Sequence, residues 1–311
     1  MTSRTTFKHL FGPVPSRRLG RSLGIDLTPY KTCTLDCVFC QLGRTTDKTM
    51  VRQAYIPADD IKQELDVWLN EGGEADYITL SGSGEPTLNL GFGDVLEFIH
   101  RRSSVPAVLL SNGTLFWLPE VRKAAAHADI VKLSLSVWDQ FSFQHVNRPH
   151  EDLDLKRIIA GQRAFREEFD GQLWMEVFLI WGMNSTRHDV EKIADLIEVI
   201  GPDEVHLNTA VRPPAEEFVA PLPRSQLEEL AGLFSPRGKV IAEVPSDKSA
   251  HIAANEETIV EMLQRRPCTA RQIADVFGMH LNEVSKYLGK LTRTGRIRTQ
   301  MRNGEAYFTG S

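Results

Sequence analysis

Cysteine is scarce in this sequence: four residues among 311, three of them between positions 33 and 40 and the last at 268. A disulfide scaffold needs an even set spread along a secreted chain, so that class is disfavoured. Long apolar runs are missing too. None approaches the roughly 20 residues that cross a bilayer, and the opening MTSRTTFKHLFG lacks the apolar centre of a secretory signal. The expectation is a cytoplasmic protein with no membrane partner, in a compartment that keeps thiols reduced. Nor is there a strong excess of one charge. With 36 Lys and Arg against 41 Asp and Glu the formal net charge is -5, which exerts no global pull on nucleic acid or anionic lipid.

That average conceals two unlike parts. Residues 250–311 hold nine Lys or Arg and six Asp or Glu, a net of +3, which leaves -8 on residues 1–249. Such a split suggests two units with different partners. In the first, residues 1–22 are polar and turn-rich and read as an irregular lead-in, whose Arg17, Arg18 and Arg21 suit a phosphate, a carboxylate or plain solvent. A strand at 22–27 comes next, and from there strand-like and helix-like periods alternate. Further strands are read in DYITLSG, AVLLSNG, DIVKLSLSVW, LWMEVFLIW and EVHLNTA, and the helix RHDVEKIADLIEVI is amphipathic at 190, 193, 194, 197 and 200. Six strands joined by helices imply parallel pairing with right-handed crossovers. Composition does not separate an open barrel from a doubly wound sheet.

After the Pro-rich VRPPAEEFVAPLPR come a helix, SQLEELAGLF, a strand, KVIAEV, and a linker at 246–251. Residues 252–311 read as a winged helix-turn-helix. Thr269 caps its second helix and Gly278 ends it, the third turns Leu281, Val284, Leu288 and Leu291 inward, and two strands meet at the turn former Asn303-Gly304.

The clustered cysteines are spaced Cys33-x3-Cys37-x2-Cys40. A short irregular loop with such gaps can wrap one corner of a cuboidal iron–sulfur cluster. Three thiolates hold three irons and leave the fourth open to bind and polarise a small molecule. A zinc site is one alternative and needs a fourth ligand, for which His9 and His100 are the closest candidates. Chance clustering of structural thiols is the other.

The same three-cysteine spacing is the signature of the radical S-adenosylmethionine (SAM) superfamily, which the chain resembles from about residue 12 to about residue 245. GPVPSRRLGRSLGID, SGSGEPTL, VNRPH and LNTAVRPPAEE are similar to segments of the subgroup related to the wyosine-type transfer-RNA base synthases. The resemblance implies an α/β fold, a partial (β/α)6 TIM-like barrel over residues 1–245, with the small winged helix-turn-helix behind it. It also implies a 4Fe-4S cluster on Cys33, Cys37 and Cys40, whose open iron is chelated by the amino and carboxylate groups of SAM. An electron from an external flavodoxin- or ferredoxin-type donor then cleaves the sulfonium, and the 5'-deoxyadenosyl radical takes a hydrogen atom from substrate.

Working residues of such a barrel sit at the carboxyl ends of its strands. By resemblance, Gly82, Ser83, Gly84 and Glu85 are expected to hold the SAM amino group. Asn112, Ser134 and Ser136 are expected at its ribose and carboxylate, Ser136 standing where relatives place an Asp-like residue. Glu176 and Asn208 are further cofactor candidates. Phe39 is expected to pack over adenine or to shield the cluster, while His145, Asn147, Arg148 and His150 are candidates for substrate contact. Cys268 reads as an inert structural thiol.

The function expected is thus a radical SAM enzyme acting on an RNA base or a peptide. Wyosine-type synthases are expected to carry a second cluster, yet no cysteine precedes Cys33 and only Cys268 comes after Cys40, which counts against the same reaction. Residues 284–302 contain six Lys or Arg and no acid, so the winged helix is expected to dock an RNA, peptide or protein substrate. The rival is a cluster-based redox or ligand sensor that binds DNA through the winged helix and makes no 5'-deoxyadenosine.

Overall fold

A computed structural model describes residues 7–16, 18–241, 255–265, 267–302 and 304–311; the expected linker at 246–251, Arg17 and the turn residue Asn303 lie outside them. The chain opens on a hairpin of β1 (Leu10–Ser16) and β2 (Gly20–Ile25), paired antiparallel. The expectation of an irregular lead-in over 1–22 is corrected by this hairpin. Prolines argue against a strand, but β1 is an edge strand and its register shifts between Phe11 and Val14, around Pro13, where a missing N–H is tolerated.

Next come β3 (Thr32–Cys33), β4 (Asp47–Lys48), α1 (Ala58–Asn70), β5 (Tyr77–Leu80), α2 (Phe92–Arg102), β6 (Ala107–Leu110), α3 (Pro119–Ala125) and β7 (Ile130–Ser134). They are succeeded by α4 (Gln140–Val146), α5 (Leu155–Glu168), β8 (Gln172–Phe178), α6 (Arg187–Ile200), β9 (Glu204–Asn208), α7 (Arg224–Leu230) and β10 (Lys239–Val240). The helices begin where side chains can satisfy their first N–H groups: Asp154 accepts from Arg157 N at 2.9 Å, and Thr186 from Asp189 N at 3.2 Å. The strand expected to run to Trp138 stops at Ser134, and α4 replaces an expected loop. Its capping box explains it, since Asp139 accepts from Ser142 N at 2.7 Å while Ser142 Oγ accepts from Asp139 N at 3.1 Å.

The main sheet has the order β1-β2-β5-β6-β7-β8-β9-β10, and every pair after β1–β2 is parallel. Each crossover therefore steps in one direction, whereas a doubly wound sheet reverses its strand order midway. The result is an α/β fold with a mainly parallel sheet, consistent with a barrel left open between its first and last strands. Buried apolar side chains, Phe92, Phe116 and Phe165 among the largest, pack the helices onto it. Leu19, in the β1–β2 turn, packs with Val108, Ile130 and Trp174 near the starting ends of β6, β7 and β8.

The C-terminal residues form a separate module of α8 (Glu256–Arg265), β11 (Cys268–Thr269), α9 (Ala270–Phe277), α10 (Leu281–Arg293), β12 (Ile297–Arg302) and β13 (Glu305–Gly310). Its sheet runs β11-β13-β12, antiparallel, over a core of its own that includes Leu263, Ile273, Val284, Leu288 and Leu291. Thr269 caps α9, Gly278 closes it at φ 62°, and Cys268 is buried in the core. Leu281 departs from the expected inward set. It is the first residue of α10, 43% exposed, lying outside the packed turns of the helix. No helix among the described residues is long and apolar enough to cross a membrane.

Candidate active site

The cysteine loop leaves the end of β2 and is held by its own backbone first. Lys31 adopts φ 58°, and its carbonyl accepts from Thr46 N and Asp47 N at 3.2 Å each. Thr49 N donates to Cys33 O at 3.0 Å and Cys40 N to Cys37 O at 3.1 Å, which closes the turn between the last two cysteines.

Loops from other strands then grip it. After β5, Ser83 O accepts from Lys31 N at 2.8 Å and Glu85 N donates to Thr32 O at 3.0 Å. Gly84 is required there, because a Cβ would stand 2.1 Å from Thr32 O. After α4, Val146 O and Asn147 O accept from Val38 N and Asp36 N at 3.0 Å each, and His150 N donates to Thr34 O at 2.9 Å. After β9, Glu216 N donates to Val38 O at 3.1 Å and Arg212 Nη1 to Gln41 Oε1 at 3.2 Å. Glu216 is also paired with Arg44 and Arg148.

All four cysteines are free thiols. Each of the three clustered sulfurs receives one side-chain N–H: Cys33 from Asn112 Nδ2 at 3.5 Å, Cys37 from Asn147 Nδ2 at 3.2 Å, Cys40 from Lys31 Nζ at 3.0 Å. Donors aimed at sulfur favour the thiolate and tune a metal bound to it. Burial pushes the Cys33 thiol up to about 12, with the Glu85 carboxylate adding to it and Lys31 opposing it. Burial likewise pushes Cys37 up, reinforced by Cys40 and Cys33. The three cysteines are half-buried as residues. Thiols held in protonated form bind metal only with proton release.

Among the described residues no three ligating side chains, the clustered cysteines included, already converge on a metal-sized point, and His100, one of the two histidines named for a zinc site, pairs with Asp129 at 3.7 Å. Three thiols on one loop, each met by an N–H donor, suit a cluster with one open corner.

Glu85 is buried and its carboxylate is full. Oε1 accepts from Thr87 N at 3.1 Å, Thr87 Oγ1 at 2.6 Å and Ser111 Oγ at 2.7 Å, while Oε2 accepts from Asn112 N at 2.8 Å. Burial pushes its pKa up, and these bonds only hold it back in part. It ties the 82–85 turn to the end of β6 instead of offering a vacant acceptor. Asn112, Ser134 and Ser136 do come together, lining a narrow cleft with Leu35, Thr114 and Asn147. Ser136 is partly committed, since its hydroxyl accepts from Phe178 N at 2.9 Å. Phe39 stacks on Phe178 with ring centres 4.3 Å apart and 11° between planes, a slab beside the second and third cysteines.

Glu176 and Asn208 lie with the interior charges. Glu176 pairs with Arg18, which reaches in from the β1–β2 turn, and with Lys132, and it accepts from Asn208 Nδ2 at 3.1 Å. Burial alone would raise its pKa; Arg18 and Lys132 outweigh burial and hold the carboxyl far below the usual range. Arg18 thus finds the carboxylate its type suits within its own chain, and Arg21 pairs with Glu74 and Asp76. Next to this group, burial lowers His206 to about 4, so its 2.8 Å contact with Glu204 is a hydrogen bond from a neutral ring.

The four residues expected to meet substrate each have a partner within the chain. His145 is on α4, its Nδ1 at 2.8 Å from Phe141 O. Asn147 serves Cys37, Arg148 serves Glu216, and the His150 backbone serves the cysteine loop. The VNRPH and VRPPAEE segments thus brace the cysteine loop. Sequence reasoning misses Lys31, although it adjoins the motif; only the folded path shows that its ammonium turns back onto Cys40.

Residues 27–197 match the family model described as Radical SAM superfamily. A protein named GTPase Obg from Brachyspira hyodysenteriae is 34% identical over 97% of this chain, but the chain spans only 45% of that protein. Neither Gly-Lys pair here, 238–239 or 289–290, is followed by Ser or Thr, so this chain holds no P-loop of the usual phosphate-binding pattern. A UPF0026 protein of Methanocaldococcus jannaschii is 34% identical over 72% of this chain and 70% of its own length. One from Synechocystis is 38% identical over 67% and 78%. Among solved structures, TYW1 with a lysine-pyruvate adduct bound superposes at a TM-score of 0.53, with 17% identity over 70% of this chain and 74% of that one. A radical SAM methyltransferase from Sphaerobacter thermophilus gives 0.52, with 17% identity over 74% and 68%. At such identities the structures share the fold.

Proposed function

The chain belongs to the radical SAM superfamily, which uses a 4Fe-4S cluster and SAM, and from that premise we propose that it is an enzyme that cleaves SAM reductively to take a hydrogen atom from its substrate. The observation that carries the reading is the trio of half-buried cysteines, each sulfur with its own N–H donor, on a loop gripped from several strands of the sheet. Cys33, Cys37 and Cys40 would hold the cluster. A cluster held there would supply the electron, drawn from an external flavodoxin- or ferredoxin-type donor, for reductive cleavage of the SAM sulfonium to a hydrogen-atom acceptor.

The chain's own residues place and protect that event. With the Glu85 carboxylate occupied and Ser83 O taken by Lys31 N, the backbone carbonyls of Gly82 and Gly84 are assigned to the SAM ammonium, and Glu85 keeps the 82–84 turn in position. Asn112, Ser134 and Ser136, which line one small cavity of about 20 Å³, are assigned to ribose and carboxylate; the Asn112 amide and the Ser136 hydroxyl would exchange their present partners for the ligand. The Phe39–Phe178 slab excludes water from one side of the sulfurs, which matters because a carbon radical reacts with whatever it meets. Glu176 and Asn208, bound to each other and to Arg18 and Lys132, support the interior beneath.

The C-terminal module, read as a winged helix, docks the substrate, an RNA, peptide or protein. Its basic face is partly neutralised within the module, where Lys290 pairs with Glu256 and Arg296 with Glu256 and Glu257. Anaerobic reconstitution with iron and sulfide, then addition of dithionite and SAM, tests the enzyme reading. 5'-Deoxyadenosine is expected from the wild type and none from Cys37→Ala; a reconstituted wild type that makes none, but binds duplex DNA according to cluster state, is a sensor instead.

A further inference from the structure

The C-terminal module reaches the site directly. At the end of α8, the Arg265 guanidinium lies 3.5 Å from the centre of the Phe11 ring and pairs with Asp26. Phe11 can occupy that place because residue 24 is Gly, where a Cβ would come within 2.0 Å of the ring. Asp26, just past β2, divides its two oxygens. Oδ2 takes Arg265, and Oδ1 accepts from Ser83 N at 2.8 Å and Ser83 Oγ at 3.2 Å. Ser83 O accepts from Lys31 N, and the Lys31 ammonium meets Cys40. Contacts therefore run unbroken from α8 through Asp26 and the 82–85 turn to the cysteine loop. On the other side, Gln272 Nε2 and Arg302 Nη1 each donate at 3.4 Å to the segment after β9, to Val211 O and Pro214 O. The module thus touches the segments that leave the first and the last of the six central strands.

We propose that the C-terminal module is an integral part of the cofactor site, with Arg265 as a positioning residue that sets the 82–85 turn through Asp26. The proposal rests on reading that turn as a SAM contact. A guanidinium fixed on an aromatic face leaves a carboxylate one favoured orientation, and that orientation presents the second oxygen to Ser83. Without Arg265, Asp26 can rotate toward water, and a turn of Gly82, Ser83 and Gly84 samples many conformations. A ligand contact misplaced by a fraction of an ångström binds more weakly.

The test uses the full chain with Arg265→Ala, Arg265→Lys and Phe11→Ala. Amide hydrogen exchange at residues 82–85 is measured without cofactor, and SAM affinity and iron content are measured on anaerobically reconstituted protein. For Arg265→Ala, exchange in the turn is expected to accelerate and the SAM Kd to rise by about tenfold, the scale of losing an outer-shell partner, at unchanged iron content. Phe11→Ala, which leaves the C-terminal module intact, is expected to move both readouts the same way by less, and Arg265→Lys to recover part of the loss. Unchanged exchange and Kd in Arg265→Ala would overturn the proposal and reduce Arg265 to a tether. A wild type that binds no SAM sinks the functional reading, while the cofactor-free exchange arm still decides whether Arg265 orders the turn.

Discussion

The interior of the sheet and the loop above it treat buried charge in opposite ways. Inside, Glu176 is overcompensated by Arg18 and Lys132, which keeps it ionised against burial. In the loop region, Glu85 has four neutral donors and no counter-ion among them, and burial keeps its pKa raised. The first arrangement builds a rigid core; the second leaves cationic and N–H groups to face sulfur.

Removing a charge from each region should separate them. Glu176→Gln strands two buried cations and is expected to cost about 3–5 kcal/mol at pH 7. A depressed folded pKa gives stability that is complete above the unfolded value, about 4.3, and is lost as pH falls through the folded one. The urea-midpoint gap between wild type and Glu176→Gln should therefore shrink on acidification. Glu85 has the reverse sign: its raised pKa means a contribution present at low pH and lost as pH rises, so wild type should weaken relative to Glu85→Gln toward alkaline pH. Parallel pH trends for the two variants would erase the contrast.

His206 sharpens the picture of the interior. Its ring is lowered to about 4 from an ordinary 6.5, so it contributes stability above 6.5 that is lost as pH falls toward 4. The size is on the order of 3 kcal/mol, and His206→Gln should flatten that limb of the stability profile. The smallest effect belongs to the C-terminal module. Leu281→Ser, at an exposed helix start, is expected to change stability by no more than about 0.5 kcal/mol in thermal melts; a larger loss would return Leu281 to the core.

How much of the molecule is legible in its sequence depends on the range of the interactions. The α6 boundaries and the caps at Thr269 and Gly278 are legible because they depend on neighbours in sequence. Six parallel strands are legible from period alone, and the gathering of Cys33, Cys37 and Cys40 on one loop from spacing. β1 is not, because Pro13 is harmless only at an edge that the sequence does not announce. Nor are the partners of Glu176, since Arg18 is 158 residues away in sequence. VNRPH reads as a substrate loop because polar residues in loops suggest ligands; that it also holds the backbone and one sulfur of the cysteine loop is visible only in the fold.

The most direct measurement is Mössbauer spectroscopy of protein reconstituted with 57Fe, with and without SAM. A three-cysteine cube leaves one iron for an outside ligand, so SAM is predicted to shift the signal of a single iron site and leave the others in place. A spectrum that SAM does not alter, or one showing full protein ligation of every iron, would contradict the account.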